Sequence, residues 1–248
     1  MESALVGFKS RGEKGNLSVA PRRGKGYNGR QEMNAMAAYL FDFDGTLVDS
    51  MPAYSAIMLG ILAENKLAYP PDVIKRITPL GYVGTAKYFI ELGAPQPLEA
   101  MIDLINGRML HAYAYEIPAK AGVKEALEAM KQRGDSLHVL TASPHAVLDP
   151  CLKRLGLWEL FENVWSCEDF QTTKSDPEIY RMAAQRMGKG VEEVTFLDDN
   201  LNADRTAKQA GMRVIGVYDD SSKDMEGAIR AATDGYVYDL REVLSEGL

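Results

Sequence analysis

Two short apolar runs, each ended by carboxylates, constrain the fold of this chain most strongly. The first is Ala38–Phe41, followed by Asp42-Phe43-Asp44-Gly45-Thr46, and the second is 194–197, followed by Asp198 and Asp199. An apolar run predicts a strand buried on both faces, as in parallel sheets, which bind ligands at the carboxyl ends of their strands. A solvated acidic turn would explain Gly45, but it would not explain why the pattern occurs twice.

After Gly122 the sequence alternates between helical and strand patterns. An amphipathic helix is predicted from Val123 to a cap at Gly134, followed by a strand over 137–140 that ends at Thr141-Ala142-Ser143-Pro144. Ser143 is the candidate N-cap of the next helix, and Pro150 is expected to kink or restart it. The later patterns predict strands at 163–166, 194–197 and 213–218. They also predict one helix that begins at Asp176-Pro177 and a later helix that ends at Gly211. The predicted fold class is α/β, with a doubly wound, parallel, Rossmann-like sheet.

Residues 51–118 interrupt this alternation. Their apolar positions recur at helical spacing, and prolines divide them into several short helices. The segment is far longer than a strand-to-strand crossover needs, so it predicts an inserted small all-helical cap domain and a candidate lid. The core would then consist of residues 36–50 and 119–248.

Residues 1–35 differ from the rest of the chain. Glycine recurs there, apolar runs are absent, and basic residues outnumber acidic ones. Such a segment cannot bury enough apolar surface to offset its ordering entropy, so we expect a disordered basic extension. An arm that touches nucleic acid and an organellar address are the functional alternatives, and a dispensable extension is the preferred interpretation.

Composition narrows the class of protein. An apolar share of 46% supports a sizeable core, and a net charge of −7 argues against binding of the whole chain to nucleic acid or an anionic membrane. Cys151 and Cys167 do not form a C-x-x-C pair and are typical of reduced thiols in a cytoplasmic protein. No stretch has the length and hydropathy of a membrane span or a secretory signal.

The ends of the predicted strands bring carboxylate, hydroxyl and ammonium side chains together. Asp42 and Asp44 would lie near Asp198 and Asp199, with Thr141 on a neighbouring strand and Lys174 in a loop. Four carboxylates at one place must be protonated, paired or bound to a cation, and an all-oxygen set suits Mg²⁺. Thr141 and Lys174 offer a hydroxyl and a positive charge to phosphate oxygens, and a carboxylate such as Asp42 can act as a nucleophile in phosphoryl transfer.

Four motifs carry a family resemblance over residues 36–248: D-F-D-G-T-L-V-D-S at 42–50, T-A-S at 141–143, K-S-D-P-E-I-Y at 174–180 and F-L-D-D-N at 196–200. The chain resembles haloacid dehalogenase (HAD) superfamily hydrolases of the helical-cap branch, similar to phosphoglycolate phosphatases and β-phosphoglucomutases. Ser175 departs from the proline that commonly follows the motif-three lysine in this superfamily, which affects the shape of the loop.

The resemblance implies a role for each matching residue. Asp42 is expected to form an aspartyl-phosphate, and Asp44 to protonate the leaving group and then activate water. Thr141, Ala142 and Lys174 would bind the phosphoryl group. Mg²⁺ would be held by Asp42, the backbone carbonyl of Asp44 and Asp199, with Asp198 nearby. The presence of Asp44 favours phosphoryl chemistry over dehalogenation, since that position typically lacks an aspartate in the dehalogenases.

The expected function is a Mg²⁺-dependent phosphatase for a small phosphorylated metabolite, with sugar phosphates and phosphoglycolate as family-level candidates. A phosphomutase and a catalytically inactive binding module are the alternatives. Tyr54 stands where the resembling mutases have a histidine, which argues against a mutase. The segment 81–84 (G-Y-V-G) resembles the specificity loop of the family and is expected to be a flexible turn. Tyr82 covering substrate and a loop without function are the two alternatives for it. His145 is expected to start a helix, His111 and His138 are interpreted as structural, and a monomer and a small homo-oligomer both remain open.

Overall fold

A computed structural model describes residues 36–245 of the chain. Its centre is a six-stranded sheet in the order β3-β2-β1-β4-β5-β6, with every neighbouring pair parallel. The strands are β1 (Ala38–Phe41), β2 (Ser136–Thr141), β3 (Asn163–Ser166), β4 (Val194–Asp198), β5 (Arg213–Val217) and β6 (Gly235–Val237). The predicted α/β fold with a doubly wound sheet is confirmed, and β1 and β4 flank the point where the strand order reverses.

Nine α helices lie within the described residues. They are α1 (Met51–Glu64), α2 (Val73–Ile77), α3 (Gly81–Glu91), α4 (Leu98–Tyr115), α5 (Val123–Gln132), α6 (His145–Leu155), α7 (Pro177–Arg186), α8 (Leu201–Ala210) and α9 (Glu226–Ala232). The first four fall within 51–118, as the helical spacing predicted. The division of the chain into a core and a separate cap domain stays a prediction.

Alternation along the strands separates two hydrophobic cores. Tyr39 and Phe41 point into the core shared with α1, α3, α4, α5 and α6, while Ala38 and Leu40 point into the core shared with α7 and α8. Both faces of β1 are therefore covered, which explains why this strand is apolar at every position. The register places Phe41 opposite Leu197, so the segments that follow β1 and β4 leave the sheet side by side.

Local sequence signals account for several helix ends. Asp176 caps α7 by accepting from the Glu178 N–H, and the Asn200 side chain accepts from the N–H groups of Asn202 and Ala203 at the start of α8. Gly211 ends α8 with φ of 109° in the left-handed region, which favours glycine. These caps fix the helices that follow Lys174 and Asp199.

Some sequence-based expectations are wrong. Residues 81–84 form the first turn of α3 and not a loop, because Thr85, Ala86 and Phe89 of the same helix bury one face. Helix α6 begins at His145, as expected, and continues through Pro150, so it does not restart there. A kink at Pro150, the other expectation, stays a prediction. Ser143 does not cap α6, because its hydroxyl donates to Asp44 instead. Helix α9 and strand β6 were not predicted. The expectation of disorder for 1–35 lies outside the described residues.

The two segments that join 51–118 to the sheet run next to each other. Val48 and Ala119 form an antiparallel bridge, the Asp49 N–H donates to the Pro118 carbonyl, and the Lys120 N–H donates to the Leu47 carbonyl. The helical segment therefore enters and leaves the sheet at one place. Within the described residues, no helix combines the length and hydropathy needed to cross a bilayer.

Candidate functional site

The loop after β1 is shaped by backbone hydrogen bonds. Asp42 donates its N–H to the Leu197 carbonyl at 2.9 Å, and the N–H groups of Leu47 and Val48 both return to the Phe43 carbonyl. Gly45 has φ of 79°, and a Cβ on it would lie 2.6 Å from the carboxylate of Asp199. Glycine is therefore required where this loop passes over the end of β4.

Three buried carboxylates meet at the junction of β1 and β4. Oxygen atoms of Asp42, Asp198 and Asp199 all lie within 4.8 Å of one another. Asp42 is only 5% exposed and Asp198 is fully buried. The Thr46 hydroxyl donates to Asp199 Oδ1 at 3.3 Å. The structure thus brings together three of the residues predicted to hold a metal ion.

Lys174 lies against two of these carboxylates. Its Nζ donates to Asp42 Oδ1 at 2.5 Å and to Asp198 Oδ2 at 2.6 Å. The loop that carries it is held by Tyr180, whose hydroxyl donates to the Lys174 carbonyl at 3.1 Å. Because Lys174 occupies one oxygen of Asp42, the other oxygen is left for a reaction partner.

The electrostatics of the cluster reflect crowding of negative charge. Burial raises the pKa of Asp42 to about 7, although Lys174 acts in the opposite direction. Burial and the neighbouring Asp198 and Asp42 raise the pKa of Asp199 well above its ordinary value. Burial would lower the pKa of Lys174, but Asp198 and Asp42 raise it well above its usual range, so its ammonium stays charged. A further positive charge would stabilise the ionised carboxylates.

The site residues fit a hard divalent cation. The donor set is made of carboxylate oxygens, it is buried, and the absence of a Cβ on Gly45 lets the Asp199 carboxylate lie against the loop after β1. Oxygen ligands of this kind suit Mg²⁺. Asp42, Asp198 and Asp199 are the side chains that would hold it.

Asp44 is held by hydroxyl groups from two directions. Tyr113, on α4, donates to its Oδ1 at 2.6 Å, and Ser143 donates to its Oδ2 at 2.5 Å. The Tyr113 ring also stacks on Phe43, with centroids 5.9 Å apart. Asp44 therefore has a fixed orientation next to the helices of segment 51–118. Sequence reasoning missed both hydroxyls, since neither is adjacent to Asp44 in the chain.

Thr141 and Ala142 lie at the end of β2, the strand next to β1. Thr141 is buried, and its Oγ1 accepts from the Ser143 N–H at 3.0 Å, while Ala142 is exposed. His145, at the start of α6, is tied to Asp149 and Asp169, with its ring nitrogens 2.7 and 2.8 Å from their carboxylates. This pairing is a structural role for His145.

Asp204 is a further acidic residue behind the cluster. It is fully buried on α8, and neither carboxylate oxygen has a hydrogen-bond partner among the described residues. Burial, followed by the charges of Asp198 and Asp199, raises its pKa to about 9, so it is neutral at pH 7. Its helical spacing from the buried Leu201 and Ala207 is a signal that sequence reasoning could have used.

Lys120 ties the loop after β1 to the loop after β5. Its Nζ donates to the carbonyls of Gly45 and Tyr218 and to the Asp219 carboxylate at 3.1 Å. It thereby fixes the carbonyl of Gly45, which lies against Asp199. The residue follows segment 51–118 directly, and its role could not be predicted from that position.

Comparison with known proteins decides the family. The haloacid dehalogenase-like hydrolase family matches residues 36–211. The chain belongs to this family. The HAD hydrolase expectation from the four motifs is thereby confirmed, and with it the assignment of the chain as an enzyme.

Relatives of this HAD hydrolase include phosphatases. It is 28% identical over 184 residues to pyrophosphatase PpaX of Bacillus velezensis, and the aligned region covers 73% of this chain and 83% of the relative. It is 27% identical over 184 residues to the phosphorylated carbohydrates phosphatase of Thermotoga maritima, with 73% and 85% covered. A solved Thermotoga maritima structure named for β-phosphoglucomutase has a TM-score of 0.73 at 26% identity, with 86% of this chain and 100% of that chain covered.

Proposed function

We propose that this HAD hydrolase is a Mg²⁺-dependent phosphatase that cleaves a small phosphorylated metabolite through an aspartyl-phosphate on Asp42. The observation that carries the proposal is the contact of Lys174 with both Asp42 and Asp198 inside the buried cluster of carboxylates. Phosphoryl transfer needs a nucleophile, a fixed positive charge and room for a cation at one place. The names of the phosphatase relatives support the same reaction class.

The first chemical step uses the free oxygen of Asp42. That oxygen attacks phosphorus, the bond from phosphorus to the ester oxygen breaks, and Asp44 donates a proton to the departing oxygen. Lys174 holds Asp42 in place and offers positive charge to the phosphoryl oxygens. When bound, Mg²⁺ supplies further positive charge for the phosphoryl oxygens. One of the hydroxyl groups now on Asp44 must give way to the leaving-group oxygen.

The second step releases phosphate. Asp44, now without its proton, takes one from water while the water oxygen attacks phosphorus, and the bond to Asp42 breaks. Phosphate and free Asp42 result, so atoms and charges balance over the cycle. Segment 51–118 would act as the cap that limits entry of other water, since Tyr113 links it to Asp44.

A phosphomutase is the second candidate, because of the solved structure named for β-phosphoglucomutase. A mutase must return the phosphoryl group to a second hydroxyl, which calls for a proton carrier in the cap. Tyr54 stands at the position of the mutase histidine, and burial raises its pKa above the ordinary tyrosine value, which is already far above neutral pH. Hydrolysis is therefore the better supported reaction. The inactive module is disfavoured, because no residue of the proposed machinery is missing.

The test is a screen of phosphorylated metabolites and p-nitrophenyl phosphate with Mg²⁺, scored by phosphate release, alongside an assay for interconversion of hexose 1- and 6-phosphates. We expect phosphate release without a bisphosphate activator. Isomer interconversion faster than phosphate release would favour the mutase, and no release from any ester would favour the inactive module. Action in the cytoplasm, as a monomer or small homo-oligomer, stays a prediction.

A further inference from the structure

Both oxygens of the Asp44 carboxylate accept a hydrogen bond, although one of them must deliver a proton to the leaving group. Oδ1 accepts from the Tyr113 hydroxyl at 2.6 Å, and Oδ2 accepts from the Ser143 hydroxyl at 2.5 Å. A general acid must lie within hydrogen-bond distance of the atom that it protonates. The leaving-group oxygen can therefore contact Asp44 only where one of these two hydroxyls moves away, and the two differ in how freely they can move.

The Tyr113 hydroxyl is fixed by the packing of its ring. The side chain is only 3% exposed, and the ring stacks on Phe43 with centroids 5.9 Å apart. Arg154 of α6 donates to the Tyr113 carbonyl from two nitrogens, at 3.3 and 3.2 Å. Because a tyrosine hydroxyl lies on the axis about which the ring rotates at χ2, turning the ring leaves the hydroxyl in place. Moving it away from Asp44 requires displacement of the buried ring itself.

The Ser143 hydroxyl can leave Asp44 by rotation about a single bond. Ser143 is half-buried in the loop between β2 and α6, and rotation about χ1 carries its hydroxyl from one staggered position to another. The backbone is held during this rotation, because the Ser143 N–H donates to Thr141 Oγ1 at 3.0 Å. Ser143 thus lies between Asp44 Oδ2 and Thr141, the residue that would bind the phosphoryl group.

The hydrogen-bonding capacity of the two hydroxyls favours the same oxygen of Asp44. The ordinary pKa of tyrosine is about 10, and burial, followed by the charge of Asp44, raises the pKa of Tyr113 further, so the phenol keeps its proton. While this phenol donates to Oδ1, Oδ2 is the oxygen left to carry the proton of the neutral acid. A serine hydroxyl both donates and accepts, so Ser143 can stay beside Oδ2 in either protonation state until substrate binds.

We propose that Asp44 protonates the leaving group from Oδ2, at the place that the Ser143 hydroxyl vacates, and that Tyr113 remains on Oδ1 as a positioning residue. This inference rests on the proposed phosphatase function and assigns the reacting atom within it. In the first step the O–H bond at Oδ2 breaks, and its proton goes to the ester oxygen as that oxygen separates from phosphorus. In the second step water returns a proton to Oδ2 while its oxygen bonds to phosphorus. Tyr113 exchanges no proton in either step.

Tyr113→Phe tests the positioning role, because it keeps the stacked ring and removes only the hydroxyl. The measured quantity is the ratio of kcat/KM for phenyl phosphate to kcat/KM for p-nitrophenyl phosphate, both with Mg²⁺. Phenolate needs a proton to leave, since the pKa of phenol is about 10, like that of tyrosine, whereas p-nitrophenolate leaves without one. We expect the ratio to fall by about tenfold, because the proton donor is no longer held in line with the leaving group.

Two further variants separate positioning from a general structural effect. Tyr115→Phe, at a tyrosine of the same helix that is 71% exposed, is the matched control and should keep the wild-type ratio. Ser143→Ala should also keep that ratio, whatever its effect on the individual rates, because the leaving-group oxygen replaces this hydroxyl. A lower ratio in Ser143→Ala would reverse the assignment of the two oxygens. An unchanged ratio in Tyr113→Phe, or equal losses on both esters, would show that Tyr113 does not position the acid.

A crystal structure with Mg²⁺ and orthovanadate would identify the reacting oxygen directly. Vanadium accepts five oxygen ligands, so Asp42 can supply one axial ligand and an oxygen at the leaving-group position the other. We expect that second axial oxygen within hydrogen-bond distance of Asp44 Oδ2, with Ser143 in a new rotamer and Tyr113 still on Oδ1. An axial oxygen on Oδ1, with Tyr113 displaced, would overturn the inference and leave the proposed function standing. Absence of vanadate from Asp42, together with no phosphate release from either aryl ester, would refute the proposed function, and this inference with it.

Discussion

Gly45 is a position at which the site cannot accommodate a side chain. A Cβ there would meet the Asp199 carboxylate at 2.6 Å, and the backbone is in the left-handed region. Gly45→Ala is therefore expected to displace Asp199 and to lower kcat, raise the Mg²⁺ concentration for half-maximal activity, or both.

Gly188→Ala is the matched control for this change. Gly188 has φ of 70° with nothing within 4 Å of the added Cβ, so it carries the same backbone strain without the contact. Gly188→Ala should lose about 1 kcal/mol of unfolding free energy, read from urea titrations, and Gly45→Ala should lose at least as much because it adds the contact with Asp199. Equal activity of the two variants would contradict the proposed role of Gly45 in admitting Asp199.

The two steps assigned to Asp44 can be distinguished by the leaving group. Asp44→Asn should lower kcat for alkyl phosphates by about two to four powers of ten, since it can neither donate the proton nor take one from water. p-Nitrophenolate leaves without a proton, so rapid mixing of this variant with p-nitrophenyl phosphate should give a burst that matches the enzyme concentration, followed by slow turnover. Asp103→Asn, on the exposed face of α4, is the control. A burst-free time course with near-normal kcat would move the acid-base role to another residue.

Individual site residues could be predicted from the sequence where they come directly after a strand. Asp42, Asp44, Asp198 and Asp199 each come within three residues of an apolar run, and the parallel sheet places such positions at one edge. The partners that orient them were not predictable. Tyr113 and Lys120 reach Asp44 and Gly45 across 69 and 75 residues of sequence, so their roles depend on how segment 51–118 packs.

Among the secondary structure elements, β2 carries a buried histidine with a defined hydrogen-bond environment. The ring nitrogens of His138 lie 2.5 Å from Ser136 Oγ and 3.0 Å from Asn163 Nδ2, and the ring stacks on Trp165 with centroids 5.7 Å apart. Asn163 donates to Nδ1, so protonation there would break this contact. Burial lowers the pKa of His138 from 6.5 to about 4.

This environment predicts a specific acid sensitivity. Between pH 6.5 and 4 the unfolded chain binds a proton at His138 that the folded chain does not, so its contribution to stability is present above pH 6.5 and lost as pH falls to about 4. Over that window the unfolding free energy of the wild type should fall by about 3 kcal/mol more than that of His138→Gln. Urea unfolding at several pH values measures this, with His111→Gln, at the surface, as control. Parallel pH profiles for wild type and His138→Gln would contradict it.

At the level of elements, the periodicity of apolar residues and the glycines, prolines and capping residues at element ends were enough to predict most of the sheet and its helices. The prediction was wrong for 81–84, because two glycines signal a turn locally while the buried residues of α3 determine a helix. It was incomplete for β6, which has three residues and pairs only with β5, and so shows no apolar run long enough to read from sequence. Tertiary packing decided both cases.

The whole molecule concentrates buried negative charge at one edge of its sheet, and this couples metal binding to stability. Binding of Mg²⁺ to the folded state alone should raise the unfolding free energy by about 1.4 kcal/mol at a concentration ten times Kd. Excess chelator should remove activity and lower the melting temperature, and added Mg²⁺ should restore both.

Variants test whether that effect arises at the proposed site. In Asp199→Asn the stabilisation by Mg²⁺ should be strongly reduced, whereas Asp220→Asn, at a side chain that is 84% exposed, should respond as the wild type does. Full activity in excess chelator would refute the metal requirement. An undiminished thermal shift in Asp199→Asn would place the ion elsewhere.

The bridge between Val48 and Ala119 and its neighbouring hydrogen bonds bring the two ends of segment 51–118 together. The four reacting side chains lie outside that segment: Asp42, Lys174, Asp198 and Asp199. Loops whose ends already meet tolerate changes in length and content at small entropic cost. Over evolutionary time, such a segment can be exchanged or remodelled as a cassette while the phosphoryl chemistry stays in place. New specificities can then arise by changing side chains of this segment, without any change to the reacting carboxylates.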